Sequence, residues 1–156
     1  MNLSTQCNNK KILIAVNASE NSRRAVSYVS KILKGLSGFH VVFLHVIDPP
    51  EEDYFSCRAE QEKWMARHGI EIDRLLEGYR RILIREGFDP KALSLKKTLC
   101  FRPSVAECIL EEQHRLECGT VVVGRQALSR SEEFLFGSIS SKIVSHAKDC
   151  TVWVVE

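Results

Sequence analysis

The fold of this chain is constrained first by a few short stretches that are apolar at almost every position. They lie in "KKILIAVN" (Lys10–Asn17), "HVVFLHVID" (His40–Asp48), "GTVVVG" (Gly119–Gly124) and "CTVWVV" (Cys150–Val155). Runs of strand length without polar alternation suit strands buried on both faces, as in parallel sheets covered by helices. Helical periods separate them. Ser19 can cap a first helix, Glu20 suits its positive first turn, and Ala25, Val26, Val29, Ile32, Leu33 and Leu36 recur at helical spacing. Gly35 and Gly38 end that helix, and Pro49-Pro50 stop the second strand. A longer helical pattern runs from about Glu60 to Glu86, with Gly69 and Gly78 as points where it could break. Ala92–Phe101 alternates, and Lys97 on its apolar face marks an edge strand. Ser104 and Glu107 form a capping box that opens a helix through Leu116, and Ile139, Ile143, Val144 and Ala147 mark a last helix.

Strands alternating with helices predict a single α/β domain over residues 1–156, with residues 1–9 a flexible N-terminus. Its core is a doubly wound, five-stranded parallel sheet with helices on both faces, a Rossmann-like arrangement of expected order 3-2-1-4-5. Ligands of such sheets bind beyond the carboxyl ends of strands, where the winding reverses. Asn17–Glu20, Val46–Asp48 and the residues from Gly124 onward all fall on that edge.

Bulk properties narrow the function classes. Lys and Arg exceed Asp and Glu by two, which is not the charge of a nucleic-acid binder. The longest apolar runs are strand-sized, too short to span a bilayer, and "MNLSTQCNNKK" has no apolar signal core. Cytoplasm is the expected compartment. The six cysteines contain no C-x-x-C pair, and in such a compartment they read as free thiols used as small hydrophobes, with no metal site.

The stretch "VVVGRQALSRSEEFLFGSIS" (Val121–Ser140) carries the strongest chemical signal. Gly124 lets the chain leave its strand with no side chain against a ligand, and Gly137 permits close approach just before Ser138. The hydroxyl of Ser138 and the first amides of the last helix, at Ser138, Ile139 and Ser140, suit an anion. On spacing alone the plainer reading stays open, in which Gly124 ends a strand and Ser138 only caps a helix.

"KILIAVNASENSRRAV", "VVFLHVIDP" and "VVVGRQALSRSEEFLFGSISSKIV" resemble the universal stress protein family, in order, over Lys10–Val155. The family's nucleotide motif is Gly, two residues, Gly, nine residues, then Gly-Ser or Gly-Thr. Here it reads Gly124, two residues, Ala127, nine residues, Gly137-Ser138. The resemblance implies an adenine nucleotide alpha hydrolase-like fold and ATP across the strand ends, with Mg²⁺ or Mn²⁺. Adenine and ribose would lie by Ala15, Asn17, Val46 and Val123. The phosphates would meet Gly124, Gln126, Ala127, Gly137, Ser138, Ile139 and Ser140. Two residues depart from the nucleotide-binding pattern: Asn17 stands where Asp is usual, and Ala127 where Gly is usual. Asn17 brings no charge, and Ala127 would cost roughly 1 kcal/mol or more if its φ were positive. Each departure costs about one order of magnitude in affinity, at roughly 1.4 kcal/mol per tenfold.

Other residues carry less. His45 and His146 read as packing residues. Arg125 and Arg130 suit a solvated loop as well as a phosphate, and Lys142 lies in no Walker-type loop. No nucleophile, general base or catalytic residue stands out, so at most slow ATP hydrolysis is expected. "TVWVV" in an edge strand needs a cover, which predicts a homodimer through Thr151–Val155, matching the family's habit. The expected function is an ATP-binding regulatory module of the stress response with weakened affinity, acting on protein partners that the sequence does not name. The alternative is a dimeric scaffold of the same fold without nucleotide. A flavin enzyme is weakest, since no aromatic-rich loop would sandwich the ring.

Overall fold

Each apolar run becomes a strand in the computed structural model, which describes residues 8–49, 54–125 and 138–156. The strands are β1 (Asn8–Ala15), β2 (His40–Ile47), β3 (Leu93–Leu99), β4 (Cys118–Gly124) and β5 (Thr151–Val155). All pair in parallel, in the expected order β3-β2-β1-β4-β5. The α-helices among the described residues are α1 (Glu20–Leu33), α2 (Arg58–Arg85), α3 (Val105–Arg115) and α4 (Ile139–His146), with a short 3-10 turn at Pro90–Ala92.

Strand pleating sorts the core into two layers. Ile12, Ile14, Val41, Phe43 and Val122 face α1 and α2, where Val26, Val29, Leu76 and Leu83 pack on them. Leu13, Val42, Leu44, Val121 and Val123 face the other way, toward α3 and α4 through Ala106, Ile109 and Ile143. β1 lies between β2 and β4, so the winding reverses at its carboxyl end.

Local chemistry sets the element boundaries. α1 starts at Ser19, whose side chain accepts from the Ser22 amide, and stops at Leu33 because Gly35 takes φ +81°. Leu36 therefore lies outside the helix and is 57% exposed, contrary to its place in the expected helical stripe. α2 continues unbroken through both glycines. At Gly69 the reason is visible: Lys97 of the edge strand β3 reaches over α2, its Nζ 3.4 Å from the Gly69 carbonyl and 2.8 Å from Asp73 Oδ1. At Gly78 nothing lies within 4 Å of where a Cβ would sit, and no contact explains the glycine.

The reading of every cysteine as a free thiol is corrected. Cys100, just after β3, and Cys108, in the opening turns of α3, form a disulfide with their Cα atoms 5.9 Å apart. Sequence spacing hid this pairing because the five residues between β3 and α3 fold the chain back, bringing the helix start against the strand end. Cys118 is fully buried, in keeping with a small hydrophobe, and Cys57 is exposed. Cys7, Arg130 and most of the expected flexible N-terminus lie outside the described residues.

Candidate functional site

The loop leaving β1 organises the site. Asn17 Oδ1 accepts from the Ser19 amide and from the Ser22 hydroxyl, both at 2.9 Å, while its own amide donates to Ser22 Oγ at 2.9 Å. This side-chain turn feeds directly into the Ser19 cap of α1. The loop carbonyls are held as well. His45 Nδ1–H donates to Val16 O at 2.8 Å, and the Tyr79 hydroxyl donates to Asn17 O at 2.6 Å. Burial pushes the Tyr79 hydroxyl's pKa up, with Arg23 opposing and Glu20 adding, so the phenol stays a donor. The bond to Val16 places the neutral His45 proton on Nδ1, leaving Nε2 as an acceptor.

The Ser19 amide can only donate, so the Asn17 atom facing it must be the oxygen. Both acceptor positions of that oxygen are then used. Nδ2 is the polar atom of the side chain that remains, and it has no hydrogen-bond partner among the described residues.

Where β1, β2 and β4 end, a cleft of about 340 Å³ opens. Ala15, Asn17, Val46, Val123, Gly124 and Ile139, all expected at the site, line it together. An adjoining cavity of about 810 Å³ takes in Ser138 and Ser140, with Arg125 beside them. Ser138 caps α4, its Oγ accepting from the Ser141 amide at 3.0 Å and lying 3.1 Å from Ser140 Oγ. The amides of Ile139 and Ser140 precede the first intrahelical acceptor and are open to an anion. Arg125 is engaged by the Glu156 carboxylate. Gln126, Ala127 and Gly137 lie outside the described residues.

Gly124 has a reason beyond ligand clearance. A Cβ there would sit 2.4 Å from the Asn21 carbonyl oxygen and 2.9 Å from the Ser22 amide nitrogen, so the end of β4 packs against the backbone of α1. Its φ is not positive, and it is the close approach that demands glycine.

Several residues at the cleft were not legible in the sequence. His45 reads there as a packing residue, yet it lines the cleft, with Ser22, Val105 and Ile109; Asp48, on the edge expected from the sequence, lines it too. Val105 and Ile109 sit four apart behind the Ser104 cap, a signal of a common helix face, but only the fold shows that the face meets this cleft. Asp48 is the one formal charge among the described lining residues. Among the described residues no three His, Cys, Asp or Glu side chains group as a metal site, and no helix is long and apolar enough to cross a membrane.

Among curated protein sequences none matches the chain. Solved structures do. A universal stress protein family member from Burkholderia pseudomallei is similar at 16% identity and TM-score 0.67, over 97% of each chain. A universal stress protein in complex with cAMP is similar at 17% identity and TM-score 0.69, over 94% of this chain and 96% of that one. A universal stress protein from Archaeoglobus fulgidus in complex with dAMP is similar at 17% identity and TM-score 0.59, over 94% and 97%. At these identities the likeness establishes the fold. The family model described as universal stress protein matches residues 8–156, nearly the whole length. The chain belongs to the universal stress protein family.

Proposed function

We propose that this protein is an adenine-nucleotide-binding regulatory module of the stress response, with ATP as its ligand and an affinity lowered by Asn17 and Ala127. The observation that carries the reading is the cleft at the switch point. Its floor is apolar, through Val46, Val105, Ile109 and Val123, and it opens onto the capped start of α4. That pairs a wall for a flat base with amides for phosphates. The relatives crystallised with cAMP and dAMP support an adenine nucleotide on this fold. Adenine and ribose would rest against Ala15, Asn17, Val46 and Val123, and the phosphates would reach Ser138, Ile139 and Ser140. A divalent ion would be held chiefly by the nucleotide's own phosphates. The working compartment is the cytoplasm. Occupancy would be read by protein partners, with any hydrolysis slow.

Titration calorimetry with Mg²⁺ and ATP tests this. Binding tighter than about 1 mM, equivalent to roughly 4 kcal/mol, that Val46→Trp abolishes supports it. No heat at millimolar ATP refutes it.

One observation favours a second reading, a dimeric scaffold without nucleotide. The Asn17 oxygen is consumed by its own loop and offers a ribose hydroxyl no acceptor. Either reading includes a two-fold homodimer through Thr151–Val155, because β5 is an edge strand with Val154 42% exposed. Sedimentation as a monomer at micromolar concentration would overturn the dimer.

A further inference from the structure

We infer that Cys100 and Cys108 form a reversible redox latch whose oxidised state holds one wall of the candidate nucleotide cleft. The inference rests on the nucleotide reading for its consequence, and on the position of the disulfide for its mechanism.

The two cysteines join the sheet end and the helix start that border the site. The Cys100 amide donates to Ile47 O at 2.8 Å, which fixes this residue to the end of β2, next to Asp48 on the cleft rim. Cys108 belongs to the opening turns of α3, between Val105 and Ile109, the two residues that α3 contributes to the cleft floor. The disulfide therefore clamps the start of α3 to the carboxyl end of the sheet. Besides it, α3 is held by the Ser104 cap, by packing of Val105, Ala106 and Ile109, and by two ion pairs further along, Arg102–Glu111 and Lys96–Glu112, which leave the first turn itself without a charged tie among the described residues.

The bond is placed to be opened from one side. Both residues are buried, about 5% exposed, but Cys108 borders a second surface groove beside α3, with Phe101, Arg102 and Glu111, which Cys100 does not line. A thiolate of a dithiol reductant entering this groove attacks Cys108 Sγ. A mixed disulfide forms, the Cys100–Cys108 bond breaks, and the electron pair leaves on Cys100 Sγ, which takes a proton from water. The reductant's second thiol, as its thiolate, then displaces Cys108, which is protonated in turn, and the reductant departs as a cyclic disulfide. Two electrons and two protons have passed to the protein.

The reduced state is also provided for. The carbonyl oxygens of Ser104 and Arg102 lie 3.5 and 3.6 Å from Cys100 Sγ, ready to accept from its S–H. In a reducing compartment a disulfide of this kind is a sensing device rather than a staple. Oxidation fixes Val105 and Ile109 against the sheet, and reduction frees the first turn of α3 to shift.

The test uses the full chain, prepared with oxidised glutathione or with dithiothreitol. Alkylation and peptide mass analysis report the state of Cys100 and Cys108, hydrogen exchange reports the amides of residues 105–109, and a fluorescent ATP analogue reports affinity. The expected result is a linked Cys100–Cys108 peptide in the oxidised sample. Reduction should then bring faster exchange in α3 and a rise of at least about fivefold in Kd, the low end of ordinary site coupling. The double variant Cys100→Ser, Cys108→Ser should match reduced protein and ignore the redox state. If that variant does not fold, reduction of the natural chain still decides. Both thiols alkylated after oxidation, or equal exchange and Kd in the two states, would overturn the latch. A chain that binds no nucleotide in either state refutes the nucleotide reading alone, and the latch then stands or falls on the exchange rates.

Discussion

Replacing Asn17 by Asp tests the site at its most informative atom. The side-chain oxygen now present is committed to the Ser19 amide and the Ser22 hydroxyl, so a ribose hydroxyl meets only the donor Nδ2. Asp keeps that oxygen and puts a second acceptor where Nδ2 stands. A hydrogen bond to a charged group contributes about 1.5–3 kcal/mol. Against it stands repulsion from the phosphates. One like charge about 10 Å away in water costs ~0.4 kcal/mol, and physiological salt and a bound Mg²⁺ reduce the sum. A net gain of about 1.4 kcal/mol, or tenfold in Kd, follows. Adenosine, which lacks the phosphates, should gain at least as much as ATP, and 2′-deoxyadenosine less. The carboxylate would also lie just ahead of the α1 N-terminus, where a negative charge stabilises by about 0.3–1 kcal/mol. Calorimetry with the three ligands, plus a melting curve, reads all of this. An unchanged or weaker ATP affinity in a variant that melts no lower than the natural chain would refute the reasoning.

Three further substitutions probe the scaffold of the site. Tyr79→Phe strands the half-buried Asn17 carbonyl and should cost about 1 kcal/mol, seen as a melting point lower by roughly 2–4 °C per kcal/mol. Because burial raises the folded pKa of Tyr79, its contribution is complete below the unfolded value near 10 and is lost as pH rises beyond it. The variant should show a shallower loss of stability above that pH. Gly124→Ala drives a methyl into the Asn21 and Ser22 backbone and should lower stability by about 1–3 kcal/mol even without ligand. A melting point unchanged in the absence of nucleotide would mean that the glycine serves the ligand alone. Gly78→Ala, on an exposed turn of α2 with open space around it, should stabilise by about 0.5–1 kcal/mol in chemical denaturation.

The sheet was legible because its signals are local. "KILIAV", "VVFLHV" and "TVVV" need only their neighbours to read as buried strands, and Lys97 alone marks β3 as an edge. What escaped depends on tertiary approach. Nothing near His45 in sequence announces that its ring holds the Val16 carbonyl, and nothing near Tyr79 points to Asn17, 62 residues away. The Cys100–Cys108 bond lacks any motif, because the strand-to-helix reversal creates the proximity. In sequence Gly124 reads as clearance for a ligand, while the neighbour that forbids a side chain in the fold is the backbone of α1. Asn17 looked like a plain loss of charge. The loop geometry sharpens that to a change from acceptor to donor at one atom.

The central claim, that an adenine nucleotide lies in the cleft at the switch point, is tested most directly by NMR. In a ¹⁵N-labelled sample titrated with Mg²⁺ and ATP, the account predicts saturable shifts at the amides of Asn17, Val46, Gly124, Ile139 and Ser140, and at the Asn17 side-chain amide. Shifts confined to the groove beside Phe101, or none at millimolar ATP, would contradict it.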